Sequence, residues 1–126
     1  MKDVIIATVI LVLIISVSAT FYSLSMNFCS DMSDGLQQAK EALIEKDYEL
    51  ATQNTEECMQ VLEKSNIWLS AMANHEELNA MKTGLLRAQQ YIIYLDDKEA
   101  MAELGELTGL INHFKKSEQV TVENIF

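Results

Sequence analysis

The stretch AKEALIEKDYELA, residues 39–51, returns 49 positions later in altered form as AQQYIIYLDDKEA, residues 88–100. Ala39 answers Ala88, Leu43 answers Ile92, Asp47 answers Asp96 and Ala51 answers Ala100; farther out, Glu57 answers Glu106 and Leu62 answers Ile111. An aspartate between two helical patterns offers its carboxylate to the free backbone N–H groups that open the second helix. Each copy therefore reads as helix, turn, helix. Asn74 with Glu77 and Asp96 with Glu99 add the spacing of a capping box, whereas Asp47 lacks the glutamate. Connections this short make the joined helices antiparallel.

Outward from the turns, apolar and small residues recur at alternating steps of three and four, the seam of a helix packed in a bundle. Four segments carry it: Leu36, Ala39, Leu43; Ala51, Thr55, Cys58, Leu62, Ser65, Leu69, Met72; Leu78, Met81, Leu85, Ala88, Ile92, Leu95; and Ala100, Leu104, Leu107, Ile111, Phe114. Proline is absent and glycine occurs four times, which favours long helices over strands and hairpins. The expected fold is all-α, with two helical hairpins that either close into a bundle or stack. The KDYELA turn, residues 46–51, resembles that of a tetratricopeptide hairpin, but only locally, because that repeat has a shorter period. Gly84, Gly105 and Gly109 fall inside helices, where each costs about 1 kcal/mol relative to alanine. Close packing between the third and fourth helices would offset that cost, so all three are expected there.

Before the first hairpin, no charged residue stands between Val4 and Ser30, and Val4 to Val17 is almost continuously Val, Ile, Leu and Ala. About twenty such residues span a bilayer, and a single segment spans only as a helix. Lys2 and the amino terminus carry the positive charge before the segment, and no Lys or Arg follows until Lys40. That bias places the N-terminus in the cytoplasm and the remainder outside. The expected organisation is a membrane anchor with a short cytoplasmic tail at 1–28 and an acidic extracytoplasmic helical domain at 29–126. A cleaved signal peptide is the alternative, because Val17-Ser18-Ala19 has the small residues of a cleavage site. A lipoprotein fits less well, since Met26-Asn27-Phe28 precedes Cys29 where small residues belong. Ser16 with Thr20, and Ala19 with Ser23, are small pairs four apart that favour packing of two anchors.

Beyond Phe28, eight Lys and Arg face eighteen Asp and Glu, so the net charge of −10 lies on the helical domain. Such a surface repels phosphate backbones and excludes nucleic acid as a partner. No catalytic set, cofactor site or metal site emerges. The two histidines, His75 and His113, lack a third ligand at local spacing. Glu56-Glu57, Glu76-Glu77 and Asp96-Asp97 are adjacent carboxylates, whose side chains point apart on a helix and suit solvated faces or helix starts. Counted from the turn at Lys46-Asp47, Cys29 and Cys58 differ in height by about 9 Å at 1.5 Å per residue. That exceeds the reach of about 7 Å between the α-carbons of a disulfide, so both are expected to stay unpaired unless the chain bends at Asp31 to Gly35.

The segments Asn66-Ile67-Trp68-Leu69, His75-Glu76-Glu77-Leu78, Leu86-Arg87, Asp97-Lys98-Glu99-Ala100, Glu103-Leu104 and Val122-Glu123-Asn124-Ile125-Phe126 follow one another in this order behind the apolar N-terminus. In that order, over nearly the whole length, the chain resembles a bacterial family known only as domain of unknown function 4363, small membrane-anchored helical proteins of Gram-positive spore formers. The resemblance implies the same anchor and helical fold. It implies no activity and no catalytic residues.

The expected role is a protein-interaction or structural module of the cell envelope, held to the lipid bilayer by its first helix and binding an envelope protein or a second copy. A small-ligand-binding or sensing domain is the alternative, and an enzyme is not expected. Counting down the second helix returns Trp68 to the level of Asn27, so Trp68, Leu69, Met72, Ile125 and Phe126 form the candidate interface or tail-packing group at the end nearest the anchor.

Overall fold

The computed structural model describes residues 1–125, the side chains of Val122 and Ile125 excepted. Four helices follow in order: α1 (Lys2–Ile44), α2 (Tyr48–Met72), α3 (His75–Ile93) and α4 (Asp97–Ile125). Helix α1 packs on α2 and α4, and α3 packs on the same two, so successive antiparallel helices stand at the corners of a square. The contact between α1 and α4 closes the ring, which a stack of hairpins would leave open. Of the two arrangements open from sequence, the chain adopts the closed four-helix bundle.

Helix α1 changes character along its length. Its early residues are apolar on every side and exposed, with a mean hydropathy of 2.8 over the most apolar window and none of that window buried. This stretch is long and apolar enough for a membrane span or a signal sequence. From Ser25 onward one face is buried: Ser25, Phe28, Cys29, Met32, Leu36, Ala39, Ala42 and Leu43. No break separates the two regimes, and Asp31 to Gly35 is helical like its surroundings.

Both tight turns have the same backbone. Asp47 N–H donates to the Ala42 carbonyl at 2.8 Å and Lys46 N–H to Leu43 at 3.1 Å; Asp96 N–H donates to Tyr91 at 2.8 Å and Leu95 N–H to Ile92 at 3.0 Å. This double closure of a helix C-terminus requires a left-handed residue, usually glycine. Here the residues are Lys46, with φ 61°, and Leu95, with φ 59°. Asp47 Oδ1 then accepts from Leu50 N–H at 3.1 Å, and Asp96 Oδ1 from Glu99 N–H at 3.2 Å. At the third junction Asn74 Oδ1 accepts from Glu76 N–H at 2.8 Å.

The 49-residue offset extends through the core. Buried Met32, Leu36, Ala39, Cys58 and Leu62 correspond to buried Met81, Leu85, Ala88, Leu107 and Ile111. The two hairpins are thus pseudo-equivalent halves about an axis running along the bundle. Their closest approaches correspond too. A Cβ on Gly35 would lie 2.5 Å from Cys58 Sγ, and a Cβ on Gly84 would lie 2.7 Å from Leu107 Cδ2.

Gly105 and Gly109 depart from the expectation of close packing, since both are exposed and a Cβ there would meet nothing within 4 Å. Helical rotation is the reason: at 100° per residue, Gly109 stands about 200° around α4 from Leu107. Gly105 is turned away from Leu107 by the same angle. Gly109→Ala is therefore expected to stabilise the protein by about 0.5–1 kcal/mol, through lost backbone entropy in the unfolded chain. Gly35→Ala is expected to destabilise it by about 1–3 kcal/mol by wedging α1 from α2. Chemical denaturation of the two variants in the same detergent checks both signs.

Candidate functional site

Two ends of the bundle carry its distinctive side chains: a proximal end, from which the apolar part of α1 projects, and a distal end formed by the turns at Lys46 and Leu95.

At the proximal end Phe28 of α1 lies between Trp68 of α2 and Phe114 of α4. The ring centroids are 5.9 Å apart for Phe28 and Trp68 and 6.0 Å for Phe28 and Phe114, with interplanar angles of 87° and 85°. Edge-to-face contacts of this kind add about 0.5–1.5 kcal/mol each to the burial of the rings. Trp68 is half-buried, Leu69 is fully buried below it, and Met72 is half-buried with the Ser25 hydroxyl 4.0 Å from its sulfur. Leu69, Phe28 and Phe114 belong to the core, Trp68 packs against it, and Met72 meets Ser25 at its edge. The Ile125 side chain and Phe126 lie outside the described residues.

Phe28 belongs to the core although it reads in sequence as the end of the apolar segment. The signal that reveals it is the seam of α1, which runs back without a gap from Leu36 through Met32 to Cys29 and Phe28. Ile67, beside Trp68, is 86% exposed.

The pseudo-equivalence of the hairpins fails at this end. Phe28 and Leu69 of the first hairpin correspond to Glu77 and Glu118 of the second. Both glutamates are half-buried, and burial, with Glu77 nearby, raises the Glu118 carboxyl above its ordinary range. His75 and His113 are both exposed, and no group of three metal-ligating side chains forms among the described residues. Glu56 and Glu57 are also exposed.

At the distal end Lys46 forms an ion pair with Asp97, joining the first turn to the start of α4. Asp96 and Asp97, adjacent in sequence, divide their work: one caps α4 and the other holds Lys46. Lys46 keeps the Asp97 carboxyl below its ordinary value of 3.8, and Asp97 keeps the Lys46 ammonium above 10.5. The depressed carboxylate stabilises the fold above pH 3.8 and ceases to do so as pH falls through its lowered value. The raised ammonium contributes fully below 10.5 and loses its effect as pH rises through its raised value. The half-buried groove between α2 and α3, lined by Met59, Leu62, Asn66, Leu78, Asn79 and Lys82, measures about 290 Å³, at the lower limit for a small-molecule site.

Cys29 and Cys58 are buried and free, in keeping with their difference in height. Burial pushes the Cys29 thiol up to about 11, partly opposed by Lys115, and pushes the Cys58 thiol up to about 12. Both stay protonated near neutrality and are poor nucleophiles.

Two measurements follow from these groups. The folded chain at pH 8 is expected to resist maleimide and to take up two equivalents once denatured, as read by intact mass. Asp97→Asn is expected to lower the melting temperature slightly at pH 7, and the wild type is expected to converge on the variant as pH falls below 3.8.

A family model described as "Domain of unknown function (DUF4363)" matches residues 19–125, from the outer part of the apolar segment to the end of α4. Neither a curated protein nor a solved structure matches the chain. The matched region takes in the whole bundle, both turns and the aromatic group at the proximal end, and the chain belongs to this family of unknown function.

Proposed function

We propose that the protein is a membrane-anchored structural or protein-interaction module of the cell envelope, with its N-terminus in the cytoplasm and its bundle outside. The observation that carries this reading is the unbroken passage of α1 from an exposed, all-apolar stretch into the buried seam of the bundle. An all-round apolar helix is stable only where lipid or protein covers it, and no residue in the most apolar window of this one is buried by the bundle. The asymmetry between Lys2 and the first later cation, Lys40, supports the orientation.

An interaction role is supported at the distal end. Ile93, Tyr94 and Leu95 are consecutive and exposed by 60%, 78% and 61%. Three exposed apolar residues in a row at a turn cost solubility and are rarely kept without a use.

A C-terminal alkaline phosphatase fusion is expected to be active and a cytoplasmic reporter fusion silent, and reversed activities would overturn the orientation. Quantitative pull-down of the full chain from detergent is expected to enrich a partner, or the chain itself, over an anchor-only control. Equal recoveries across all proteins would remove the interaction reading.

A further inference from the structure

Helix α4 outruns the bundle. Met72, at the end of α2, lies against Ser25, and α3 begins three residues later at His75, so both helices end near the level of Ser25 on α1. Phe114 is level with Phe28, yet α4 continues to Ile125. At equal rise along two antiparallel helices, Lys115 and Lys116 fall opposite Asn27 and Met26, and Val120 falls opposite Tyr22. The surface of α1 agrees. Ser18, Phe21 and Tyr22 are partly covered, whereas Ala19, Thr20, Ser23 and Leu24 around them are exposed. Ser18 and Tyr22 continue the three-and-four seam of Ser25, Cys29 and Met32, and by this register α4, which packs on α1, is the element alongside them.

The membrane-anchored reading, on which this inference rests, sets the depth. About twenty residues counted from Val4 place the outer edge of the hydrocarbon near Tyr22. Lys115 and Lys116 then stand about 6–7.5 Å beyond that edge, within the headgroup layer. Both are exposed. Val120, 54% exposed, reaches the edge itself. Glu118 points elsewhere, half-buried near Glu77 and Cys29. Glu123, exposed one turn beyond Val120, falls opposite Ala19, about 4.5 Å inside that edge, where its carboxylate has to reach outward to the headgroups and keeps α4 from entering farther.

We propose that the last turns of α4 are a second membrane-contacting element, in which Lys115 and Lys116 meet phospholipid phosphates and Val120 rests at the edge of the acyl chains beside Tyr22. The bundle thereby meets the bilayer through two helices, α1 crossing it and α4 lying in its outer interface. Long lysine side chains suit this depth, because their stems cover apolar surface while the ammonium stays with the phosphates.

The test uses the full chain in phosphatidylcholine and phosphatidylglycerol vesicles, some carrying lipid brominated near the top of the acyl chain and some carrying lipid brominated near its end. Leu13→Cys, Val120→Cys and Tyr94→Cys are each labelled with an environment-sensitive dye, the buried native thiols remaining unreactive. Expected is strong quenching at position 13, at least a third of that at position 120, and none at position 94. Quenching at 13 with none at 120 would overturn the proposal while sparing the anchor. Absence of quenching at 13 would overturn both. Lys115→Glu with Lys116→Glu is expected to reduce quenching at 120 at least twofold without changing it at 13, whereas Lys64→Glu leaves both unchanged. An unaltered signal at 120 in the double variant would overturn the phosphate contact.

Discussion

The rest of the structure depends on α1 being a single helix that serves two environments. Its first part is apolar all round, its later part is apolar on one face, and no glycine, proline or change of backbone divides them. Continuity requires that the three-and-four seam be in phase with the end of the apolar segment, because a helix cannot rotate one stretch relative to the next. Ser25, Phe28 and Cys29 satisfy that phase, and the positions of Trp68 and Phe114 follow from it.

The second organising fact is that a duplicated hairpin plan has been kept where it builds core and relaxed where it meets other surroundings. The two glycine notches, the two left-handed turns and the paired core residues all recur at one offset. At the proximal end the copies part: an aromatic and a leucine in one hairpin correspond to two glutamates in the other. At the distal turns they part again, with Lys46 paired to Asp97 in one and exposed Leu95 in the other. Equivalent backbones thus carry unlike chemistry at both ends and like chemistry in the middle.

Much of this was legible in the residues themselves. The aspartate caps announce the turns because their carboxylates have one use at that position, and the seams announce the buried faces because helical period leaves little choice. Closure of the ring was not legible, since a bundle and a stack bury the same faces against different neighbours. Nor did glycine disclose its role by type alone: Gly84 is three residues after Met81 and four before Ala88, close to the seam, while Gly105 and Gly109 point outward. Phe28 was hidden by composition, because an apolar residue at the end of an apolar run reads as part of that run. Its membership in the core emerges once Trp68 and Phe114 are beside it.

The unbroken α1 also has a mechanical consequence. A helix passing from an apolar segment into a core without a linker transmits both bending and torsion, so the bundle has no freedom to swivel independently of that segment. From Tyr22 to the turn at Lys46 it stands about 36 Å tall at 1.5 Å per residue, and its apolar distal corner is carried at that altitude on a stiff shaft. In the membrane-anchored reading such an object behaves as a ruler, addressing only what lies at one distance from the lipid and in one compass direction around its own axis.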